Sequence, residues 1–333
     1  MRSISEFNRH MLKKIIKSIQ PEINIFEKKY RESLTTDVKL LLTITNYILK
    51  NPGKRIRPIL LLLVSKLLGE VNDKTYSSCI LIELLHTATL IHDDVVDDAN
   101  FRRGFFSVNN LWKNKLAVLV GDFLLSKGLA LGLKNQDINI LLYTSMAVEK
   151  ISEGEIFQIQ KSRDLDITEK DYFNIIQRKT GSLFGCCFQL AAVCNNISSK
   201  KQLRKLYNIG LKIGTIFQIK DDILDYKSST FTGKKKGNDI KESKINLPLL
   251  YTIKKASFLE RQEIFKILKK NKIKNEDILQ IYQLVQKKKG IKLAIDKMEN
   301  LEKEIISDLN IFPESENKTT LIDLIHFILV RKK

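Results

Sequence analysis

Apolar residues return every three or four positions along nearly the whole chain, and nowhere do they settle into the strict alternation of a strand. A chain patterned this way buries its stripes helix against helix, which predicts an all-α fold. The spacing predicts helices near 5–30, 36–50, 57–69, 73–98, 115–133, 137–161, 168–195 and 200–226. Five more are expected near 244–256, 259–271, 275–288, 291–308 and 316–331. Only 5 prolines and 14 glycines stand among 333 residues, which suits long helices better than a sandwich or barrel. Breaks fall at Asn51-Pro52-Gly53, at Arg103-Gly104 and between Lys227 and Asn238. The last is the one long loop-like stretch, of a length that is usually functional in a compact domain. None has linker character, so residues 1–333 are expected to form one domain.

Charge narrows the function classes less than it first promises. A balance of 57 basic to 38 acidic residues gives +19, which invites a nucleic-acid partner. The lysines are spread along the chain with little aromatic interleaving, so solvated helix faces explain most of them, and no nucleic acid is expected. The cysteines, Cys79, Cys186, Cys187 and Cys194, lie in apolar stretches without a CxxC pair. They read as buried thiols in a reducing compartment, and zinc is not expected. The first twenty residues lack a secretory apolar core. The strongest apolar run, Ile59 to Val64, stops far short of the roughly 20 residues a membrane span needs. A cytoplasmic chain with no transmembrane segment is the expectation.

One internal echo carries the chemistry. Leu90-Ile91-His92-Asp93-Asp94-Val95-Val96-Asp97 resembles Gln218-Ile219-Lys220-Asp221-Asp222-Ile223-Leu224-Asp225. Each places Asp-Asp-x-x-Asp at the C-terminal end of a long apolar helix. Asp93 and Asp97 share a face. Like charges at that spacing cost roughly 0.2–0.5 kcal/mol per pair. The helix dipole disfavours anions at this end as well. A compensating cation is implied, and oxygen donors of this kind suit Mg²⁺, which takes one or two carboxylates and fills its shell with water and substrate phosphates. A solvated acidic helix end would explain one such cluster; the same spacing twice, each time after an apolar helix, is better explained by a diphosphate clamped between them.

Basic groups stand close by in sequence. Gly53-Lys54-Arg55-Ile56-Arg57-Pro58 opens a helix, and helix N-termini bind phosphate. Arg102-Arg103-Gly104 follows the first acidic cluster, where guanidinium forks would match phosphate oxygens. Lys179-Thr180-Gly181 and Lys244 interrupt apolar surroundings. His86 lies two turns before Asp93 and reads equally as a ligand or as a satisfied core histidine.

Taken in order, these stretches resemble the trans-isoprenyl diphosphate synthases, most nearly the bacterial octaprenyl enzymes. Gly121-Asp122-Phe123, Phe217-Gln218-x-x-Asp221-Asp222-x-x-Asp225, Gly233-Lys234 and Gly237-x-Asp239 complete the ordered set over roughly residues 10–330. The resemblance implies the helical isoprenoid synthase bundle, usually a homodimer, with two or three Mg²⁺ per site. It implies that Lys54, Arg57, His86 and Arg103 hold isopentenyl diphosphate. Asp93, Asp97 and Asp221 would hold metal, and the full triplets Asp93, Asp94, Asp97 and Asp221, Asp222, Asp225 would join Lys179 in catalysis. Arg102, Lys179, Thr180, Gln218 and Lys244 would complete the site for the allylic diphosphate. One departure stands out: Asn246 occupies a position before Leu-Pro where the family often has threonine.

The implied reaction is ionisation of the allylic diphosphate, attack by the double bond of isopentenyl diphosphate, and loss of a proton. Ala88 and Thr89, five and four residues before Asp93, are small, so a growing chain could pass them. The resemblance gives that position control of product length, which favours a long product for quinone side chains. A short-chain farnesyl or geranylgeranyl synthase is the rival. A terpene cyclase would not be expected to carry the second triplet or the Lys54/Arg57 pair. A basic nucleic-acid or scaffold protein remains a distant alternative.

Overall fold

A computed structural model describes residues 4–102, 104–134, 137–227 and 237–331. The chain is all-α, with sixteen α-helices among these residues. The first four are α1 (Ile4–Ser18), α2 (Gln20–Ser33), α3 (Lys39–Lys50) and α4 (Ile56–Leu68). Then come α5 (Asp73–Val96), α6 (Val108–Lys134), α7 (Ile138–Asp164), α8 (Glu169–Ile176), α9 (Ser182–Cys194) and α10 (Lys200–Lys227). The last six are α11 (Asn238–Lys241), α12 (Leu247–Lys255), α13 (Phe258–Leu268), α14 (Asn275–Lys287), α15 (Gly290–Asp308) and α16 (Glu316–Val330).

Two helices are apolar all round, and they lie at the centre. Every residue of α4 from Ile59 to Val64 is buried, and α9 is buried over almost its whole length. They pack on each other, α5 packs on α4 and α6, and α10 packs on α9 and α15. The α9–α10 contact is very close, because a Cβ on Gly210 would lie 2.5 Å from the Phe184 carbonyl oxygen and one on Gly214 2.7 Å from the Gly181 Cα. That approach lays the second half of α10 over the start of α9, where the polar residues lie. All four cysteines are free and buried, as their apolar setting predicts.

The structure differs from the sequence reading in several places, each with a local cause. Residues 5–30 form two helices, because Pro21 enters the first turn of α2 and cannot continue α1. The segment 168–195 is interrupted by a π-helical turn, Gln177–Gly181. A two-residue antiparallel ribbon, β1 (Phe101–Arg102) with β2 (Phe105–Phe106), folds around Gly104 at φ 87°. The predicted 244–256 helix begins at Leu247, because the side chain of Asn246 caps it. The helix α6 starts well before 115 and is kinked at Lys113. It is also long and apolar enough, by length and composition, to cross a membrane, unlike the run the sequence singled out. Lysines and Asp122 scattered through it hide that length from a search for uninterrupted runs.

Candidate active site

The long helix α5 is started by a reciprocal cap, in which the Asn72 side chain accepts from the Thr75 amide and Thr75 returns a bond. Its far end carries the first acidic triplet. Asp93 is partly buried, and that burial, with Glu155 and Asp97 nearby, outweighs the pull of Lys179 and Arg102 and lifts its carboxyl to about 6. Asp94 is buried, and Arg102 Nε donates to both its oxygens at 2.7 and 2.8 Å. The ribbon β1–β2 turns Arg102 back toward α5, while Asn109 Nδ2 donates to the Asp94 carbonyl at 3.1 Å. Asp97 caps the helix and accepts from Lys244 Nζ at 3.5 Å.

The second triplet is held by other chemistry. Asp221 accepts from Arg331 Nη2 at 2.8 Å. Asp222 is buried and accepts from the Tyr172 hydroxyl at 2.6 Å, Gln218 Nε2 at 3.1 Å and the Leu247 amide at 3.2 Å. Burial, reinforced by Asp239, lifts its carboxyl to about 7 against those donors. The Asp225 carbonyl accepts from the Tyr282 hydroxyl at 2.9 Å.

Between the triplets lies the π turn. An extra residue in a helical turn re-aims side chains, and such turns recur at functional sites. Here Thr180 Oγ1 donates to Gln218 Oε1 at 2.8 Å, and Lys179 pairs with Glu155 and donates to Gln158 at 3.3 Å. Gly154 lets α7 press close, since a Cβ there would stand 3.0 Å from the Lys179 amide nitrogen. One cleft is lined by Gln158, Tyr172, Lys179, Thr180, Gln218, Asp222, Asp239, Lys244 and Asn246. Asp222 of the second triplet lines this cleft, and Lys244, which lines it too, reaches Asp97 of the first triplet. Burial opposes its charge, yet Glu242 at 2.7 Å and Asp97 hold its proton more tightly than usual.

Lys54 and Arg57 stand at the start of α4. Arg57 Nη1 lies 2.8 Å from His86 Nε2, and its guanidinium stacks over Phe184. Arginine only donates, so Nε2 accepts and a neutral His86 keeps its proton on Nδ1. Lys54 Nζ lies 5.7 Å from the Phe327 ring centroid. A second cleft beside His86 is floored by Arg55 and Glu83 and walled by Tyr47, Leu90, Phe105 and Phe106. Arg103, Gly233 and Lys234 lie outside the described residues. Ala88 is wholly buried in the core, and Thr89 Oγ1 donates to the His86 carbonyl at 2.9 Å. Asn246 uses both ends of its amide: Nδ2 donates to Asp239 at 2.9 Å and Oδ1 accepts from Tyr226 at 2.8 Å.

The polyprenyl synthetase family model matches residues 38–285. The chain belongs to that family. It is 31% identical to octaprenyl diphosphate synthase of Haemophilus influenzae, over 95% of this chain and 96% of that one. It is 32% identical to geranylgeranyl diphosphate synthase of Saccharolobus solfataricus, over 84% and 87%. Its structure superposes on the polyprenyl synthase of Caulobacter crescentus, solved with calcium and isoprenyl diphosphate, with a TM-score of 0.91. That match carries 28% identity and covers 97% of this chain and 98% of the other. As a polyprenyl synthetase family member, the chain is a trans-prenyl diphosphate synthase and a transferase of prenyl groups.

Within this synthase, sequence reasoning missed four polar residues. Glu155 and Gln158 hold Lys179, and Tyr172 holds Asp222. Arg331 meets Asp221, whereas Asp239, which meets Asn246, was already in the motif set. The Ser152-Glu153-Gly154-Glu155 stretch inside α7 and the basic end of the chain after α16 were the available signals. Tyr172 carried none.

Proposed function

We propose that this synthase condenses isopentenyl diphosphate with an allylic diphosphate, farnesyl diphosphate as primer, and repeats the step to a long product, octaprenyl diphosphate, used for quinone side chains. The observation that carries the reading is Lys244, which lines the cleft beside Asp222 and reaches Asp97 at the end of the first acidic helix. Residues 1–333 act as a single polyprenyl synthase domain.

The donor set fits Mg²⁺. Among the described residues no three His, Cys, Asp or Glu side chains cluster closely enough to cage an ion. An ion shared between one or two carboxylates and substrate phosphates needs no such cage. Burial, with Glu155 and Asp97 nearby, raises the Asp93 carboxyl, and a divalent cation beside it would favour the charged form. Asp93, Asp97 and Asp221 are assigned as its ligands, for two or three ions per site. The relative solved with calcium supports a divalent ion here. Bound Mg²⁺ supplies Lewis-acid stabilisation of charge on the departing diphosphate.

The chain's own residues do the rest. Lys179, Lys244 and Arg102 gather the allylic diphosphate and neutralise it as the C–O bond breaks. Thr180 and Gln218, bonded to each other, orient it. Lys54, Arg57, His86 and Arg103 hold isopentenyl diphosphate so that its double bond attacks the cation and forms the new C–C bond. The departing diphosphate takes the proton, restoring an allylic product. Apolar walls from α4, α5 and α9 keep water from the cation. Asp94 and Asp222 act by fixing Arg102 and Gln218.

Small Ala88 and Thr89 favour the long product; the geranylgeranyl synthase relative favours a short one. Incubation with isopentenyl and farnesyl diphosphates plus Mg²⁺, with dephosphorylated products sized by chromatography, decides between them. A product of one condensation would overturn the octaprenyl assignment, and none at all would overturn the reaction. The outward faces of α6 and α7 carry Leu119, Leu133, Ile138 and Ile156 exposed, from 54% to 72%. We assign them to the interface of a homodimer, rather than to a membrane, and light scattering of the purified chain tests it. The buried thiols fit a cytoplasmic setting.

A further inference from the structure

We propose that Arg55 is a positioning residue: anchored by two carboxylates and a tyrosine ring, it fixes the loop from which Lys54 and Arg57 diverge. The inference rests on the reading above that those two side chains bind isopentenyl diphosphate.

Arg55 has φ 53°, a left-handed conformation that crowds the Cβ of any residue but glycine. Something must hold it there. Its Nε donates to Glu27 of α2 at 3.0 Å, and its Nη1 donates to Glu83 of α5 at 2.6 Å. The guanidinium also stacks 4.6 Å from the centroid of the Tyr30 ring. The Arg55 and Glu83 side chains are about as buried as each other, at 10% and 6% exposure. A guanidinium committed inward to two acids is not a ligand for a diphosphate. Its neighbours face elsewhere: Lys54 toward Phe327 of α16, Arg57 toward His86.

The anchor and the site share a helix. Glu83 and His86 stand one turn apart on α5, so α5 grips the start of α4 at two points, Glu83 to Arg55 and His86 to Arg57. Two grips fix the register and the direction in which the α4 N-terminus opens. A fork bonded to two carboxylates holds direction in a way that a lysine point charge does not. Charge removal at Arg55 also leaves Glu83 buried without its partner, which would drive the loop to rearrange.

The test compares Michaelis constants for the two substrates, because a general packing defect would disturb both. Arg55→Gly keeps the left-handed backbone and deletes the anchor. Glu27→Gln weakens the more exposed arm and leaves Glu83 in place. Arg55→Gly is expected to raise KM for isopentenyl diphosphate about tenfold, and Glu27→Gln about threefold, with KM for farnesyl diphosphate within about twofold of wild type. Arg55→Lys is expected to fall between wild type and Arg55→Gly. Equal rises in both constants, or a fall in kcat with KM for isopentenyl diphosphate unchanged, overturns the proposal. Should Arg55→Gly fail to fold, the Glu27→Gln split decides alone. Wild-type protein without prenyl transfer would sink the functional reading and this inference with it, whereas normal wild-type transfer with no split sinks the inference only.

Discussion

The two acidic helix ends carry the same spacing, but their middle aspartates are held by opposite means. At the end of α5, the middle aspartate is gripped by a cation, Arg102, and the outer one touches Lys244. At the end of α10, the middle aspartate is gripped by a phenol, an amide and a backbone N–H, none of them charged. The middle aspartate of the first end therefore has a charged partner, while that of the second has none and burial raises its affinity for a proton; the second end's cation, Arg331, sits on Asp221 instead. Equal motifs in a sequence do not imply equal electrostatics, because partners drawn from elsewhere in the fold set the charge state.

That contrast breaks or sharpens under mutation. The largest effect is expected from Asp93→Asn, which removes a carboxylate assigned to charge stabilisation and should lower kcat about 10³-fold, against about tenfold for Asp225→Asn, in steady-state prenyl transfer. Equal losses would make the two ends equivalent. Next, Lys244→Ala removes the cation that reaches Asp97 from the cleft and should cost about 10² in kcat/KM for the allylic substrate. A loss confined to isopentenyl diphosphate would place Lys244 on the wrong substrate. Ala88→Phe should leave the first condensation intact while shortening the product, read by chromatography.

The smallest effect concerns pH. The folded carboxyl of Asp222 sits at about 7 against an ordinary 3.8, so the folded state binds its proton more tightly than the unfolded chain. Its contribution to stability is whole below about pH 4 and is lost as pH rises toward 7. Between pH 5 and pH 8, metal-free wild type should therefore lose more melting temperature than Asp222→Asn. Identical losses would show that burial does not perturb this group.

Much of the scaffold was legible because it is local. Periodicity located nearly every long helix, and the apolar run Ile59 to Val64, read only as too short for a membrane span, is buried in α4. Both acidic triplets and Lys54, Arg57, Lys179 and Lys244 stood out by charge in apolar surroundings. Arg102 was legible by its place after the first triplet, though as a phosphate fork and not as the partner of Asp94. Tyr172 was not, because its bond to Asp222 crosses between helices remote in sequence, and a tyrosine on a helix looks like core. The π turn escaped for a related reason: no residue type in Gln177–Gly181 announces it, and the close approach of Gly154 and Gly214 shapes it from outside. Pro21 was available and should have divided the first helix.

Lys244 has a consequence for how this chain meets its cations. With the Lys244 ammonium already beside Asp97, the end of α5 has a counter-charge that the chain itself supplies. Assembly of the bundle and loading of the site are thus separate events. A chelator should silence the catalyst yet leave its helices and its cooperative melt in place, unlike proteins whose folding free energy is supplied by the metal.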